Sequence, residues 1–307
     1  MKLLQSFVLL FLAASLAIAQ TQRGVMVREA PLYISPDKQS AKLGNIARGR
    51  EVAIIDQSKE FIKVFAEMGQ ERDVTGWILE KGLIRDTTPN GDRILFGEAV
   101  DSENEASKRG GRKGADKDAL RLYYRTYEHF PKSPLAAEAL WRAADIDWQI
   151  NKSDVMGRRS AKERDPWLRG RIPTELMDEV RKKFPGTKWA ALASYAKIDN
   201  DLCGEWQGSA KCPEKETDMF EGYVKNHPDS PKAAEALYEA AWRQAALVDM
   251  YRADNDNGKS QKALARSKAI LQRIQTEYTQ QGDWPNRALA LQYKLEQGIP
   301  TYGVPSE

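Results

Sequence analysis

Phe130-Pro131-Lys132-Ser133-Pro134-Leu135-Ala136-Ala137-Glu138-Ala139-Leu140-Trp141 decides how the second half of this chain is read. Proline lacks an N–H and clashes with the turn before it, so it closes one helix, and a Ser two residues later is placed to cap the next. The same boundary recurs as Phe184-Pro185-Gly186-Thr187 and as His227-Pro228-Asp229-Ser230. Counted from the proline, alanine stands at +5, +6 and +8 each time: Ala136, Ala137 and Ala139, then Ala190, Ala191 and Ala193, then Ala233, Ala234 and Ala236. Position +10 is aromatic (Trp141, Tyr195, Tyr238), and position −8 carries Tyr123, Met177 and Phe220. Small residues at helical spacing let two helices approach, and large ones fill the space beside them. A weaker fourth copy keeps Leu271, Ile274 and Tyr278 but replaces the tight boundary with Trp284-Pro285-Asn286.

Successive boundary prolines lie 43 to 54 residues apart, longer than the roughly 34 of a tetratricopeptide repeat. Insertions at 151–171, 201–213 and 251–260 account for the excess. The pattern aromatic-Pro-x-Ser-Pro-x-Ala-Ala-Glu-Ala-Leu, spread over residues 119–297, resembles the tetratricopeptide-like repeats of envelope-assembly proteins. Among these are the helical lipoprotein of the outer-membrane barrel-assembly machinery and the periplasmic coordinator that partners Tol–Pal. The resemblance implies an all-α array of helical hairpins over residues 119–300 that holds a protein partner.

The first half has a different period. Val25-Met26-Val27 and the runs 30–33, 51–55, 61–65 and 76–79 are rich in β-branched and aromatic residues, and turn residues separate them. Short strands in so small a segment predict a barrel, because closure removes exposed edges. Leu32-Tyr33-Ile34-Ser35-Pro36, Leu43-Gly44-Asn45-Ile46-Ala47-Arg48-Gly49, Phe61-Ile62-Lys63-Val64 and Gly76-Trp77-Ile78 follow in an order that resembles the bacterial SH3-like (SH3b) family. That resemblance implies a small SH3-like β-barrel over residues 20–86 that binds peptidoglycan stem peptides or a protein ligand. Phe61 stands where the family often has Trp, and the Asn-x-Arg stretch before the Pro is absent, which leaves the ligand open. Aromatics line the groove of many SH3-like folds, so Tyr33, Phe61 and Trp77 are the ligand-binding candidates, with Tyr33 expected at the surface and Trp77 in the core.

Met1-Lys2, an apolar run to Ile18 and Ala17-Ile18-Ala19 form the three parts of a cleavable secretory signal, residues 1–19. The apolar run is shorter than the roughly 20 residues of a spanning helix, and no later segment is apolar enough to span. A periplasmic or secreted protein without an integral membrane segment is expected. Residues 87–118 contain Thr87-Thr88-Pro89-Asn90-Gly91 and the basic, Gly-rich Lys108-Arg109-Gly110-Gly111-Arg112-Lys113-Gly114, which predict a flexible charged linker with room for a short helix near Phe96 to Ala106. Charged residues make up 30% of the chain but nearly cancel, at a net charge of +3. That balance argues against a nucleic-acid partner, whose basic face would raise the charge much further.

Cys203 and Cys212 are the two cysteines of the chain, and in an exported protein a pair most simply forms one disulfide. Trp148, Trp167 and Trp206 fall outside the repeat pattern, at hairpin ends or in insertions, and are further ligand-binding candidates because exposed Trp marks binding hot spots. Gly258-Lys259-Ser260 lacks the first glycine of a phosphate loop. Asp254-Asn255-Asp256-Asn257-Gly258 would place Ala253 and Leu264 where a calcium loop needs carboxylates. With two His in the chain and no nucleophile–base or zinc-ligand constellation, the expectation is of no catalytic residues, no metal site and no cofactor. The fold class expected is multidomain β + α. The function expected is a non-enzymatic binding scaffold of the cell envelope, with an envelope-assembly factor as the alternative and a cell-wall hydrolase or its accessory subunit as a third class.

Overall fold

The computed structural model describes residues 22–68 and 73–303. The predicted signal peptide and its cleavage site lie outside the described residues. The chain divides into two compact units between Thr88 and Pro89, a β unit and then a helical array.

The β unit is one antiparallel sheet of β1 (Arg23–Met26), β2 (Ala30–Tyr33), β3 (Lys42–Ile46), β4 (Glu51–Ser58), β5 (Phe61–Glu67), β6 (Asp73–Leu79) and β7 (Leu83–Arg85). Its strand order is β3-β2-β6-β5-β4-β1-β7. Along β5 the side chains of Ile62, Val64 and Ala66 are buried while Phe65 and Glu67 face out, the alternation that a pleated strand with one wet face imposes. Met26, Leu32, Ile46, Val52 and Ile78 complete the core. Gly76 is needed where β6 passes β2, since a Cβ there would meet the Leu32 side chain and the Tyr33 carbonyl at 2.8 Å. β3 and β7 were not among the runs expected as strands. Gly44-Asn45 reads as a turn, yet Gly44 adopts φ 147°, open to glycine alone, and carries β3 past β2 with a register shift at Leu32/Tyr33.

The array comprises α1 (Gly91–Ser107), α2 (Ala115–His129), α3 (Ala136–Met156), α4 (Glu175–Lys183), α5 (Lys188–Lys197), α6 (Lys211–Asn226), α7 (Ala233–Ala253), α8 (Asn257–Glu277) and α9 (Trp284–Glu296). The stretch expected as a flexible linker, 87–118, is instead largely α1 and the start of α2. Leu95, Ala99 and Ser102 repeat at helical spacing and are fully buried. Phe96 meets Tyr123 edge-on at 5.2 Å, and Glu103 accepts from the Tyr123 hydroxyl at 2.6 Å and from Arg142 at 2.9 Å. The many acidic residues of α1 hide this narrow apolar stripe from a composition argument. Even the basic turn is tied down, with Lys108 2.8 Å from Glu105.

Four hairpins follow: α2–α3, α4–α5, α6–α7 and α8–α9. Their boundary residues share one backbone shape: Phe130 (φ −125°, ψ 57°), Phe184 (−128°, 53°), His227 (−138°, 60°) and Tyr278 (−122°, 34°). Each donates its N–H to the carbonyl four residues back; in the first three a proline follows and stops the helix there, whereas Tyr278 takes the same shape before Thr279. Thr187 caps α5 by accepting from the Ala190 N–H at 3.3 Å. Ser133 and Ser230 accept instead from Leu135 and Lys232 at 3.1 Å, and the helices that follow begin three residues on, at Ala136 and Ala233. Ala136 and Ala139, Ala190 and Ala193, and Ala233 and Ala236 are all buried. The fourth copy is bound to the third through Gln281, which accepts from the Ala234 N–H at 2.9 Å and donates to the Ser230 carbonyl at 3.0 Å.

Candidate binding groove

The second helices of the hairpins lie side by side, α3 against α5 and α7 against α9. Across α3, α5 and α7 runs a cleft of about 380 Å³. The repeat register builds it. Position +10 contributes Trp141 and Tyr195, and position +14, one helical turn on, contributes Asp145 and Asp199. From the third copy come Glu235, Glu239 and Arg243.

Most of its charges neutralise one another. Lys152 lies 2.6 Å from Asp199, Lys232 2.7 Å from Glu235 and Arg243 2.6 Å from Glu239. Tyr195 donates its hydroxyl to Glu235 at 3.0 Å, with the Lys232 ammonium over its ring at 5.4 Å. Burial and the Glu235 charge push the Tyr195 phenol far above its ordinary range, so it keeps its proton and acts as a donor. Asp145 differs. Burial lifts its carboxyl above the usual carboxylate range and the Glu103 charge adds to this, offset in part by a hydrogen bond with Gln149 and by the Lys232 charge. Asp145 and Gln149 also line a second cleft of about 510 Å³, bounded by Glu103, Asp116, Ser153 and Asp154. The two clefts therefore meet at an under-compensated carboxylate, beside aromatic faces on one side and acidic walls on the other.

The candidate residues named from the sequence distribute unevenly. Trp148 lines the groove but is 2% exposed, a core residue of α3 rather than a surface anchor. Its place one turn beyond Asp145 puts it under the next hairpin, against Met177 and Ala193. Trp206 is buried as well, packed on Trp242 and Tyr302 with ring centres 5.2 and 5.7 Å away. Trp167 alone of these is open, 79% exposed, with Arg171 over its ring at 5.2 Å. In the β unit the expected order is reversed. Tyr33 and Phe61 are buried and meet edge-to-face at 6.0 Å. Trp77 is half-exposed, paired across the sheet with Lys63, whose ammonium lies 5.9 Å from its ring. Tyr33 pairs directly with Trp77 and so shares its sheet face, opposite the Ile62-Val64-Ala66 stripe, and is buried there against Phe61. Phe65, on the same face of β5 as Lys63, is also exposed. Sequence reasoning missed Asp145 and Asp199 because carboxylates abound on these helices; their shared +14 position was the available signal.

Cys203 and Cys212 form a disulfide, with Cα atoms 6.0 Å apart. The loop it closes is tied to the core: Glu216 accepts from the Cys203 N–H at 2.7 Å and from the Trp206 indole at 3.3 Å. No protein-family model matches the chain, and no curated protein matches it.

Proposed function

We propose that this protein is an exported, non-enzymatic scaffold of the bacterial envelope. Its β unit, read as SH3-like, engages peptidoglycan or a peptide, and its tetratricopeptide-like array holds a protein partner along the groove over α3, α5 and α7. The observation that carries this reading is Asp145, a half-buried carboxylate where an aromatic cleft and an acidic cleft meet. A partner segment that brings a basic side chain to Asp145 restores the charge balance that burial removes, while Trp141 and Tyr195 offer faces for its apolar parts. The disulfide fits an oxidising compartment, and among the described residues no helix is long and apolar enough to cross a membrane. On the β unit, the exposed Phe65 and the part-buried Trp77 share the sheet face that a ligand would cover.

Two variants of the full chain test the division of labour. Asp145→Lys is expected to lose a protein partner captured from cell envelopes and still co-sediment with purified sacculi. Trp77→Ala is expected to do the reverse. If each variant keeps both activities, neither face is used and the reading fails.

A further inference from the structure

The first insertion, 151–171, and the start of the second, 201–213, fold onto each other rather than standing free. The Gly204 N–H donates to the Glu163 carbonyl at 3.1 Å and the Glu205 N–H to the Lys162 carbonyl at 3.2 Å. A Cβ on Gly204 would collide with those same two carbonyls, so the approach requires glycine. At the other end the buried Asn200 amide pairs twice with Ile172, accepting its N–H at 2.9 Å and donating to its carbonyl at 2.9 Å. The disulfide fixes Cys203, and with it one wall.

Between them lies a pocket of about 340 Å³, within the range of small-ligand sites. Val155, Met156, Ala161, Ile172 and Leu202 give it an apolar lining. Its charges pair off with one exception. Lys152 lies 2.6 Å from Asp199 and Lys162 3.5 Å from Glu205. Arg169 lines the same pocket and has no carboxylate partner among the described residues. It donates to the backbone carbonyls of Asp199, at 3.3 Å, and Leu202, and its Nε is buried without an acceptor. A guanidinium held in place by backbone carbonyls, with its charge unmatched beside an apolar wall, is suited to a carboxylate, whose planar fork it complements. A doubly charged phosphate fits less well, because Asp199 and Glu205 also face the pocket.

We infer that this pocket binds a carboxylate carried on a small apolar group, with Arg169 facing the anion and the apolar lining taking the remainder. The free C-terminus of a peptide and a small organic acid share that chemistry. Calorimetric titration of the full chain, disulfide intact, with acetyl-Leu-Leu, its C-terminal amide and hexanoate separates them. The dipeptide acid is expected to bind about tenfold or more tightly than the amide, the difference one charge-assisted contact makes. Hexanoate binding as well as the dipeptide assigns the site to small acids, and weaker binding assigns it to peptide termini. Ala161→Leu fills the pocket without touching Arg169 and is expected to weaken the dipeptide about tenfold at an unchanged melting temperature. Arg169→Gln is expected to do the same, but Arg169 also ties residues 199–202 in place, so a measurement on the unaltered protein stands beside it. Acetyl-Leu-Leu should slow phenylglyoxal modification of Arg169, read by peptide mass spectrometry. Equal binding of acid and amide, no binding of either carboxylate at millimolar concentration, full affinity in folded Ala161→Leu, or an unprotected Arg169 at saturating dipeptide each overturns the proposal.

Discussion

Arg243 donates through Nε to Glu216 at 2.6 Å with both side chains almost out of water, 8% and 1% exposed. Glu216 also accepts from the backbone of Cys203 and the indole of Trp206, while the Arg243 guanidinium lies over the Phe220 ring at 4.5 Å. One carboxylate thus fastens the disulfide loop to α6 and α7. Removing it leaves Arg243 with Glu239 alone and takes the acceptor from the Cys203 N–H and the Trp206 indole, which costs about 1–3 kcal/mol. Glu216→Ala is therefore expected to destabilise the array by that amount in chemical denaturation, and Glu216→Leu with Arg243→Met to lose less than the single change. A single variant within experimental error of the parent would show that the pair contributes nothing.

The disulfide acts on the same loop from its other side. Cys203 and Cys212 are nine positions apart in sequence, and closing so short a loop is worth about 2–3 kcal/mol in the chain-entropy account. Thiol labelling under denaturing, non-reducing conditions should find neither cysteine free. Replacing both by Ser should lower stability by about the same 2–3 kcal/mol, since Glu216 continues to hold the loop. Full labelling of both thiols in protein recovered from an oxidising compartment would contradict the bond.

Period and boundary chemistry made the architecture legible. The boundary proline fixes φ and removes an N–H, so its three copies placed three hairpins, and Leu271, Ile274 and Tyr278 placed a fourth. The cysteine pair was legible for the same reason: two thiols offer one pairing. Trp148 and Tyr33 were misplaced because an aromatic residue reads alike whether it fills a core or a groove. What separates them is what covers the face they stand on. Trp148 follows Leu140 and Ala144 along the buried stripe of α3, all three almost fully buried, while Tyr33 shares a sheet face with Trp77 and is buried there against Phe61. A short helix near Phe96 to Ala106 was legible, but the full length and packing of α1 were hidden by its charge, and Arg169 by belonging to an insertion with no repeat to compare it with.

Tyr33 and Trp77 yield a paired expectation in the β unit. Tyr33 is buried against Phe61, and truncating a buried aromatic costs about 3–5 kcal/mol. Tyr33→Ala should lower the melting transition of the β unit markedly. Trp77, half in water, should be replaceable by Ala at about 1 kcal/mol or less, with ligand affinity and not folding as the casualty. Calorimetric scanning of the two variants decides this, and an early transition in Trp77→Ala with none in Tyr33→Ala reverses the assignment.

His227 stands where Phe130 and Phe184 stand in the sister hairpins, and this makes it a pH-sensitive position. Its ring lies 5.2 Å from that of Tyr223, and it shares a cleft with Arg181, Lys197, Asp201 and Asp218. Burial, and then the Arg181 charge, lower its basicity below the ordinary imidazole value, about 6.5 in an unfolded chain. Between those two values the unfolded chain binds more protons than the folded one. The folded array therefore keeps its full stability above about pH 6.5 and loses some as the pH falls through that value toward the lowered one. A phenylalanine has no proton to gain. His227→Phe should match or slightly exceed the parent at pH 7.5, with an advantage in melting temperature that widens as the pH falls below about 6.5 toward 5. A constant difference across that range would mean that His227 carries no protonation penalty in the folded array.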